Sequence, residues 1–157
     1  MNIERISKPG FCVIGKEGSS RDGDGFVQRL WEDANSHFAE VAHLAKLRED
    51  GSLAGVWGAM TDFSRSFQPW ENGFSEGYYL AGVECRDDAN PPAGWRRWDV
   101  PGFEYLRAEC DAPDVFARML EYLEKNGLPL AGAVQDYTDP ATGKSYMLFP
   151  VGRLENV

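Results

Sequence analysis

Leu130-Ala131-Gly132-Ala133-Val134-Gln135-Asp136-Tyr137-Thr138-Asp139-Pro140 is the stretch from which the fold is interpreted, because Leu53-Ala54-Gly55-Val56-Trp57-Gly58-Ala59-Met60-Thr61-Asp62-Phe63 repeats its outline. Both stretches read LAG, then five variable residues, then TD, at an offset of 77 residues (130 − 53) in a chain of 157. A helical pattern ending at glycine precedes each copy, and an aromatic strand pattern follows each. The repetition predicts two similar halves around one shared site.

Composition limits the class of protein. With 43% hydrophobic residues, 13% aromatic residues and 157 residues in all, we expect a single domain spanning residues 1–157. The net charge of −9 argues against direct binding to nucleic acid or to an anionic membrane, since both need clustered cations. No apolar run approaches the roughly 20 residues that span a bilayer, and no targeting signal is evident. We expect a cytoplasmic protein.

Cysteine and histidine usage gives no sign of a metal or a cofactor. Cys12, Cys85 and Cys110 are odd in number and form no ligand motif, so we interpret them as reduced, buried, small hydrophobic residues. His37 and His43 are six residues apart on a predicted helix and face different sides, which excludes a shared metal. No triad order or phosphate-loop motif is present, so nucleophilic triad chemistry and nucleotide binding are not predicted.

The first repeat, about 11–86, is predicted to be β-α-β-β. Apolar residues at intervals of three and four predict a long helix from Phe26 to Arg48, with Asp24 as N-cap and Gly51 as the C-terminal stop. The strand patterns of this half are 11–15, 53–60 and 77–85.

A polar, proline-bearing connector at 87–94 leads to the second repeat, about 95–151. Its patterns are strands at 95–100 and 103–110 divided by a Pro-Gly pair, a helix from Pro113 to a stop at Asn126-Gly127, and strands at 131–138 and 145–151. We therefore predict an α+β fold in which two pseudo-symmetric β-α-β-β repeats form an antiparallel sheet, with two helices on one face and a central ligand cleft.

Strand alternation selects the candidate site residues. Gln135 and Tyr137 share one side of their strand and Asp136 faces the other; Gly58 is predicted to lie opposite Gln135, unless Gly58 is a bulge and Gln135 faces solvent. Glu84 is the only acid within an apolar run. It is either buried in the site, where it would be a counter-ion or a general base, or solvated beside Arg86, Arg96 or Arg97. The candidate ligand-binding residues are Trp31, Trp57, Met60, Tyr79, Glu84, Trp98, Gln135, Tyr137, Tyr146 and Phe149.

Four segments, in order, resemble one family. YYLAGVEC at 78–85 is similar to a Y-x-x-G-V-E-V strand, WDVPGFEYLRAEC at 98–110 to an I-P-x-x-x-Y-x-x-F segment, and VQDYTDP with MLFPV to an E-x-Y-x-x-D-P and I-P-V ending. From 11 to 151 the chain resembles the GyrI-like small-molecule-binding domain, the effector-binding domain of AraC-type and MerR-type multidrug regulators, which also occurs in stand-alone form.

The resemblance implies a cleft between two repeats that accepts hydrophobic, often cationic compounds. The family's E-x-Y glutamate in that cleft corresponds to Gln135, an amide that cannot neutralise a buried cation. Cation recognition is then expected to depend on Glu84 or on the aromatic walls of the cleft. The amide at position 135 also disfavours turnover, because some family members resemble hydrolases that need the E-x-Y glutamate carboxylate as a base.

The main functional hypothesis is therefore a stand-alone protein that binds aromatic, amphipathic or cationic drug-like molecules and sequesters or senses them. One alternative is a hydrolase of the same fold acting on electrophilic small molecules, with Glu84 or Tyr137 as acid or base. The other is an inhibitor of a gyrase-like protein partner. We expect a monomer or homodimer, and no basic helix-turn-helix is evident, so a role in transcription regulation would need a protein partner.

Overall fold

The computed structural model describes residues 2–154, and in that part of the chain eight strands form one antiparallel sheet. The strands are β1 (Ile3–Lys8), β2 (Phe11–Ser19), β3 (Val56–Thr61), β4 (Tyr78–Cys85), β5 (Arg96–Val100), β6 (Phe103–Glu109), β7 (Gln135–Thr138) and β8 (Ser145–Arg153). The helices are α1 (Phe26–Ser36), the single turn α2 (Glu71–Phe74) and α3 (Val115–Lys125). The predicted α+β fold with an antiparallel sheet is confirmed.

The spatial order of the strands, β1-β6-β8-β7-β3-β4-β2-β5, shows the two repeats and an exchange between them. One repeat is β2-α1-β3-β4 and the other is β6-α3-β7-β8. The strand that precedes each repeat pairs with a strand of the other repeat. β1, which precedes the first repeat, pairs with β6, and β5, which precedes the second repeat, pairs with β2. β1 was not predicted, because its sequence IERISK has only two apolar residues and the strand is only partly buried.

Two short corners force the sheet to roll up. Pro9-Gly10 connects β1, at one end of the sheet, to β2, next to the opposite end, and Pro101-Gly102 connects β5 to β6 in the same way. A two-residue connection spans three Cα–Cα steps and reaches at most about 11 Å, so the two ends of the sheet must lie close together. The corners do touch: a Cβ on Gly102 would lie 3.0 Å from the Gly10 nitrogen.

The rolled sheet has an inner face and an outer face. Within residues 2–154 the inner face carries no helix, and it closes on an aromatic core that includes Phe11, Trp57, Trp98, Phe103 and Tyr105. The outer face carries both long helices: α1 packs over β2 and β4, and α3 packs over β6 and β8. The predicted placement of two helices on one face is thus confirmed, and the opposite face is buried because the sheet closes on itself.

Helix α1 is shorter than predicted. It ends at Ser36, and two 3₁₀ turns, Phe38–Glu40 and Ala42–Leu44, follow in place of a helix to Arg48. The backbone of the next residues pairs with the end of β4, where the Lys46 amide donates to the Glu84 carbonyl at 2.9 Å. This pairing requires an extended chain, so tertiary hydrogen bonds override the helical periodicity.

Other local predictions also need correction. The N-cap of α1 is Gly25, with a φ of 76°, instead of Asp24, and Gly51 lies in a turn and ends no helix. Cys12 and Cys85 are buried as expected, whereas Cys110 is exposed because the chain leaves the sheet just after β6. No helix in the described chain is both long enough and apolar enough to span a bilayer.

Candidate ligand site

A cavity of about 180 Å³ opens on the outer face, over the central strands and beside helix α3. Strands β3, β7 and β8 form its floor, α3 forms one wall, and the segment between β3 and β4 covers it. Its lining residues are Met60, Trp70, Phe74, Phe116, Val134, Asp136 and Met147. Asp136 is the one ionisable side chain among these lining residues of the described chain.

Asp136 faces this cavity because of strand alternation. Its strand neighbours Gln135 and Tyr137 face the inner core, and its cross-strand partners are Gly58 on β3 and Met147 on β8. Gly58 therefore lies opposite Asp136, and the prediction that it lies opposite Gln135 is wrong by one residue of register.

The Asp136 carboxylate has no counter-charge. No side chain or backbone amide within residues 2–154 donates a hydrogen bond to it or forms an ion pair with it, and burial is the one influence on its pKa. Burial raises the pKa of this carboxyl to about 6, because a low-dielectric environment disfavours the charged form. A desolvated, unpaired carboxylate among aromatic and thioether groups can accept an organic cation.

Tyr79 and Trp31 complete the surroundings of Asp136. The Trp31 indole N–H donates to the Tyr79 hydroxyl at 3.0 Å. The hydroxyl lies directly above Gly58, where a Cβ would approach it to 2.1 Å and the Asp136 Cβ to 3.2 Å. Burial and the nearby Asp136 charge raise the pKa of Tyr79. Gly58 therefore provides the space that brings a phenol hydroxyl next to the carboxylate.

The covering segment, 62–77, has a strained backbone. Among the described residues, the four non-glycine residues with positive φ all lie here: Arg65, Phe67, Asn72 and Phe74, with φ between 51° and 66°. Each such conformation costs on the order of 1–3 kcal/mol. Strain of this kind is typical of segments that cover binding sites.

The TD pair of the first repeat holds this covering segment. The Thr61 hydroxyl accepts the Phe67 amide at 2.8 Å, and the Asp62 carboxylate accepts the amides of Ser66 at 3.0 Å and Gln68 at 3.3 Å. In the second repeat Asp139 instead caps the β7–β8 turn, accepting the Ala141 amide at 2.9 Å. The repeated motif thus shapes a loop in both halves, and only the first loop covers the cavity.

Gln135 is a structural residue. It is 1% exposed; its side-chain oxygen accepts the Met60 amide at 2.8 Å, and its amide nitrogen donates to the carbonyls of Met60 and Ala133, each at 3.1 Å. These bonds replace the backbone ladder beyond Gly58, where β3 and β7 separate. The amide thus joins the two repeats and leaves no group for a ligand.

Glu84 is buried at 3% exposure on the inner face, and not solvated beside the arginines. The Trp57 indole donates to its carboxylate at 3.1 Å, and the ammonium groups of Lys8 and Lys46 lie 3.3 and 3.9 Å from it. A carboxylate matched in this way is a poor counter-ion for a ligand cation.

The ten predicted ligand-binding residues do not line one cavity. Six lie on the inner face and four on the outer face. The inner six are Trp57, Glu84, Trp98, Gln135, Tyr137 and Tyr146; the outer four are Trp31, Met60, Tyr79 and Phe149. Of these, Met60 lines the Asp136 cavity and Trp31 and Tyr79 adjoin it, whereas Phe149 is packed in the core below α3.

Sequence reasoning missed the residue that carries the site. Asp136 had a usable signal, since an acid follows Val134 and Gln135 in a strand pattern and faces the side opposite Gln135. The family's E-x-Y spacing directed attention to Gln135 instead. The other large residues that line the cavity come from separate elements, and nothing in the sequence indicates that they meet. They are Trp70, Phe74, Phe116 and Met147.

Structure comparison finds this fold in proteins of low sequence identity. SAV2435 bound to tetraphenylphosphonium matches with a TM-score of 0.62 and 16% identity, over 96% of this chain and 94% of the other. The C-terminal domain of EcmrR matches with 0.64 and 12%, over 98% of both chains. A hydrolase from Listeria innocua matches with 0.54 and 15%, over 96% and 92%.

No protein-family model matches the sequence, and no curated protein matches it significantly. At these identities the similarities show the fold alone. The GyrI-like fold expected from the sequence resemblance is confirmed on that basis.

Proposed function

We propose that the protein binds small organic cations with an aromatic or amphipathic body, in the outer-face cavity, with Asp136 as the counter-charge. One observation carries the proposal: a partly buried carboxylate with no cation partner among residues 2–154 lies in a cavity otherwise lined by aromatic, thioether and aliphatic groups. A ligand cation there gains an ion pair and contacts with the faces of Trp70, Phe74 and Phe116, and a desolvated cation–π contact is worth about 2 kcal/mol.

The cavity volume sets the size of the ligand. At about 180 Å³ it exceeds the engineered apolar cavity of roughly 150 Å³ that holds benzene. A single-ring cation such as phenyltrimethylammonium fits this scale. Larger cations of the kind bound by SAV2435, tetraphenylphosphonium, would enter only with movement of the strained segment that carries Trp70 and Phe74.

In this proposal the protein sequesters or senses the cation that it binds. The fold match to the EcmrR C-terminal domain is compatible with a part in multidrug response or transcription regulation in a cytoplasmic setting. In this proposal the protein would act on transcription through a partner and make no direct contact with nucleic acid.

A second candidate function is hydrolysis of an electrophilic small molecule. Asp136, with a pKa of about 6, is suited to act as a general base near neutral pH, and the Tyr79 hydroxyl lies beside it. This assignment differs from the sequence-based one, in which Glu84 or Tyr137 acts as acid or base, because Glu84 already pairs with two lysines. The fold match to a hydrolase is a further reason to measure turnover.

Titration with phenyltrimethylammonium, followed by tryptophan fluorescence, tests the proposal. We expect saturable quenching, and Asp136→Asn should weaken binding by at least about tenfold, as expected for loss of a charged contact. The matched control, Asp88→Asn, removes an exposed acid far from the cavity and should change nothing. Because the probe has no titratable group, weaker binding below about pH 6 would report protonation of Asp136.

Three outcomes would count against cation binding. Equal affinity of the wild type and Asp136→Asn would remove Asp136 from the site. Time-dependent loss of an electrophilic compound that Asp136→Asn abolishes would favour the hydrolase. Co-purification with a protein partner, together with no response to any cation, would favour the inhibitor of a gyrase-like partner.

A further inference from the structure

A second cavity, of about 220 Å³, lies on the inner face of the sheet, on the side opposite Asp136. Strand β1, which comes from the exchange between the repeats, forms one wall with Ile6, Ser7 and Lys8. Its other lining residues are Ala54, Trp57, Glu84, Arg107, Tyr137 and Leu148. This cavity has two aromatic walls, as the rings of Trp57 and Tyr137 pack with their centroids 4.8 Å apart.

Positive charge exceeds negative charge around this cavity, although the chain as a whole carries −9. Lys8 and Arg107 line it, and Lys46 and Arg48 lie just behind, at the Glu84 carboxylate and the Tyr137 hydroxyl. Three carboxylates form ion pairs with these four cations: Glu84, Glu4 and Asp139. Among residues 2–154 one positive charge therefore remains, in a pocket walled by aromatic rings.

Arg107 and Lys8 keep donors available. Within residues 2–154 the Arg107 guanidinium donates through Nη2 alone, to Glu4 at 2.7 Å, and its Nε is buried without an acceptor. Its Cζ lies over the Tyr146 ring, 4.6 Å from the ring centroid. The Lys8 ammonium lies 5.6 Å from the Trp57 ring centroid and donates a hydrogen bond to the Glu84 carboxylate. Unused donors beside aromatic faces fit a ligand that carries both an acceptor and a ring.

We propose that this inner cavity is a second binding site, for a small aromatic carboxylate. The ring lies against Trp57 and Tyr137, and the carboxylate accepts from Arg107 and Lys8. Repulsion from Glu84 is reduced, because Lys46 and the Trp57 indole still contact the Glu84 carboxylate when Lys8 turns toward the ligand. The site is independent of the cation site, since the sheet separates the two cavities and they share no lining residue.

Nuclear magnetic resonance with benzoate tests this site. The indole N–H of Trp57, assigned by its loss in Trp57→Phe, should shift on addition of benzoate, and benzamide and acetate should shift it far less. Arg107→Gln and Lys8→Gln should each weaken benzoate binding at least about tenfold. Arg86→Gln, which removes an exposed cation outside the cavity, and Asp136→Asn should leave it unchanged.

Clear outcomes overturn the proposal. An unchanged Trp57 resonance, shifts of equal size with acetate or benzamide, or undiminished benzoate binding in both the Lys8 and Arg107 variants would each do so. Arg107→Lys keeps the charge if Arg107→Gln fails to fold, and thermal melting of each variant separates loss of binding from loss of structure. Because Asp136→Asn is included, failure of the benzoate site and failure of the cation site give different results.

Discussion

The two cavities contain the same unusual element, a carboxylate in a strand among aromatic residues, and differ in what surrounds it. Glu84 on the inner face has two lysines and an indole N–H within 3.9 Å. Asp136 on the outer face has no donor within the described chain and a pKa raised to about 6. A buried carboxylate that the protein itself neutralises is structural, whereas one left unpaired is available to a ligand.

The largest expected effect comes from removing the unpaired charge. The folded-state pKa of Asp136, about 6, is above its ordinary value of 3.8, so the protonated form is favoured by folding. Its destabilising effect is absent below about pH 4, grows between pH 4 and 6, and is complete above pH 6. At 1.36 kcal/mol per unit, Asp136→Asn should raise the free energy of unfolding by up to about 3 kcal/mol at pH 7.

Urea denaturation at pH 4 and pH 7 measures this difference. The gain from Asp136→Asn should nearly vanish at pH 4, and Asp88→Asn should give no gain at either pH. A variant that is destabilised at pH 7 would mean that Asp136 has a partner in solution, and the contrast between the two carboxylates would fail.

The next effect concerns the inner-face neighbour of Asp136. Gln135→Leu removes three hydrogen bonds and leaves the amide and carbonyl of Met60 buried without partners. An unsatisfied buried polar group costs about 1–3 kcal/mol, so we expect a loss of about 2 kcal/mol in chemical denaturation. The matched control is Gln28→Leu on the exposed side of α1, which should stay within about 0.5 kcal/mol. No loss on Gln135→Leu would show that its amide does not join the repeats.

The smallest effect should come from the matched carboxylate. Glu84→Gln keeps an acceptor for the Trp57 indole and removes the negative charge that pairs with Lys8 and Lys46. Because both lysines are partly solvated, the loss should be about 1 kcal/mol. Its sign is opposite to that of Asp136→Asn, measured in the same urea experiment. If Glu84→Gln stabilised the protein instead, Glu84 would behave like Asp136, and the distinction between a paired and an unpaired carboxylate would fail.

Much of the fold could be predicted because its signals are local. The strand and helix patterns and the Pro-Gly pairs each depend on neighbouring residues, and the two LAG-x5-TD stretches are found by comparing the sequence with itself. β1 escaped prediction because a partly buried edge strand has weak alternation. Helix α1 was predicted too long because the pairing of Lys46 with Glu84 is a long-range contact that periodicity does not report.

The site was harder to predict, for a reason that Gln135 and Asp136 illustrate. The two residues are adjacent and both are polar, and alternation correctly places them on opposite faces. Which of the two residues meets an organic cation depends on its tertiary contacts: Gln135 is fully hydrogen-bonded to Met60 and Ala133, and Asp136 lines the outer cavity. The E-x-Y resemblance therefore selected the residue that joins the repeats, next to the one that lines the outer cavity.

The sequence by itself determined the two-repeat α+β design and the presence of acids within apolar strands, since these follow from periodicity and composition. Only the tertiary structure decided which of those acids keeps a free charge. Lys8 reaches Glu84 because β1 is exchanged between the repeats, and Asp136 stays unpaired because its neighbours on α3 and the covering segment are aromatic. Charge compensation depends on residues far apart in the chain, so it is a property of the folded molecule alone.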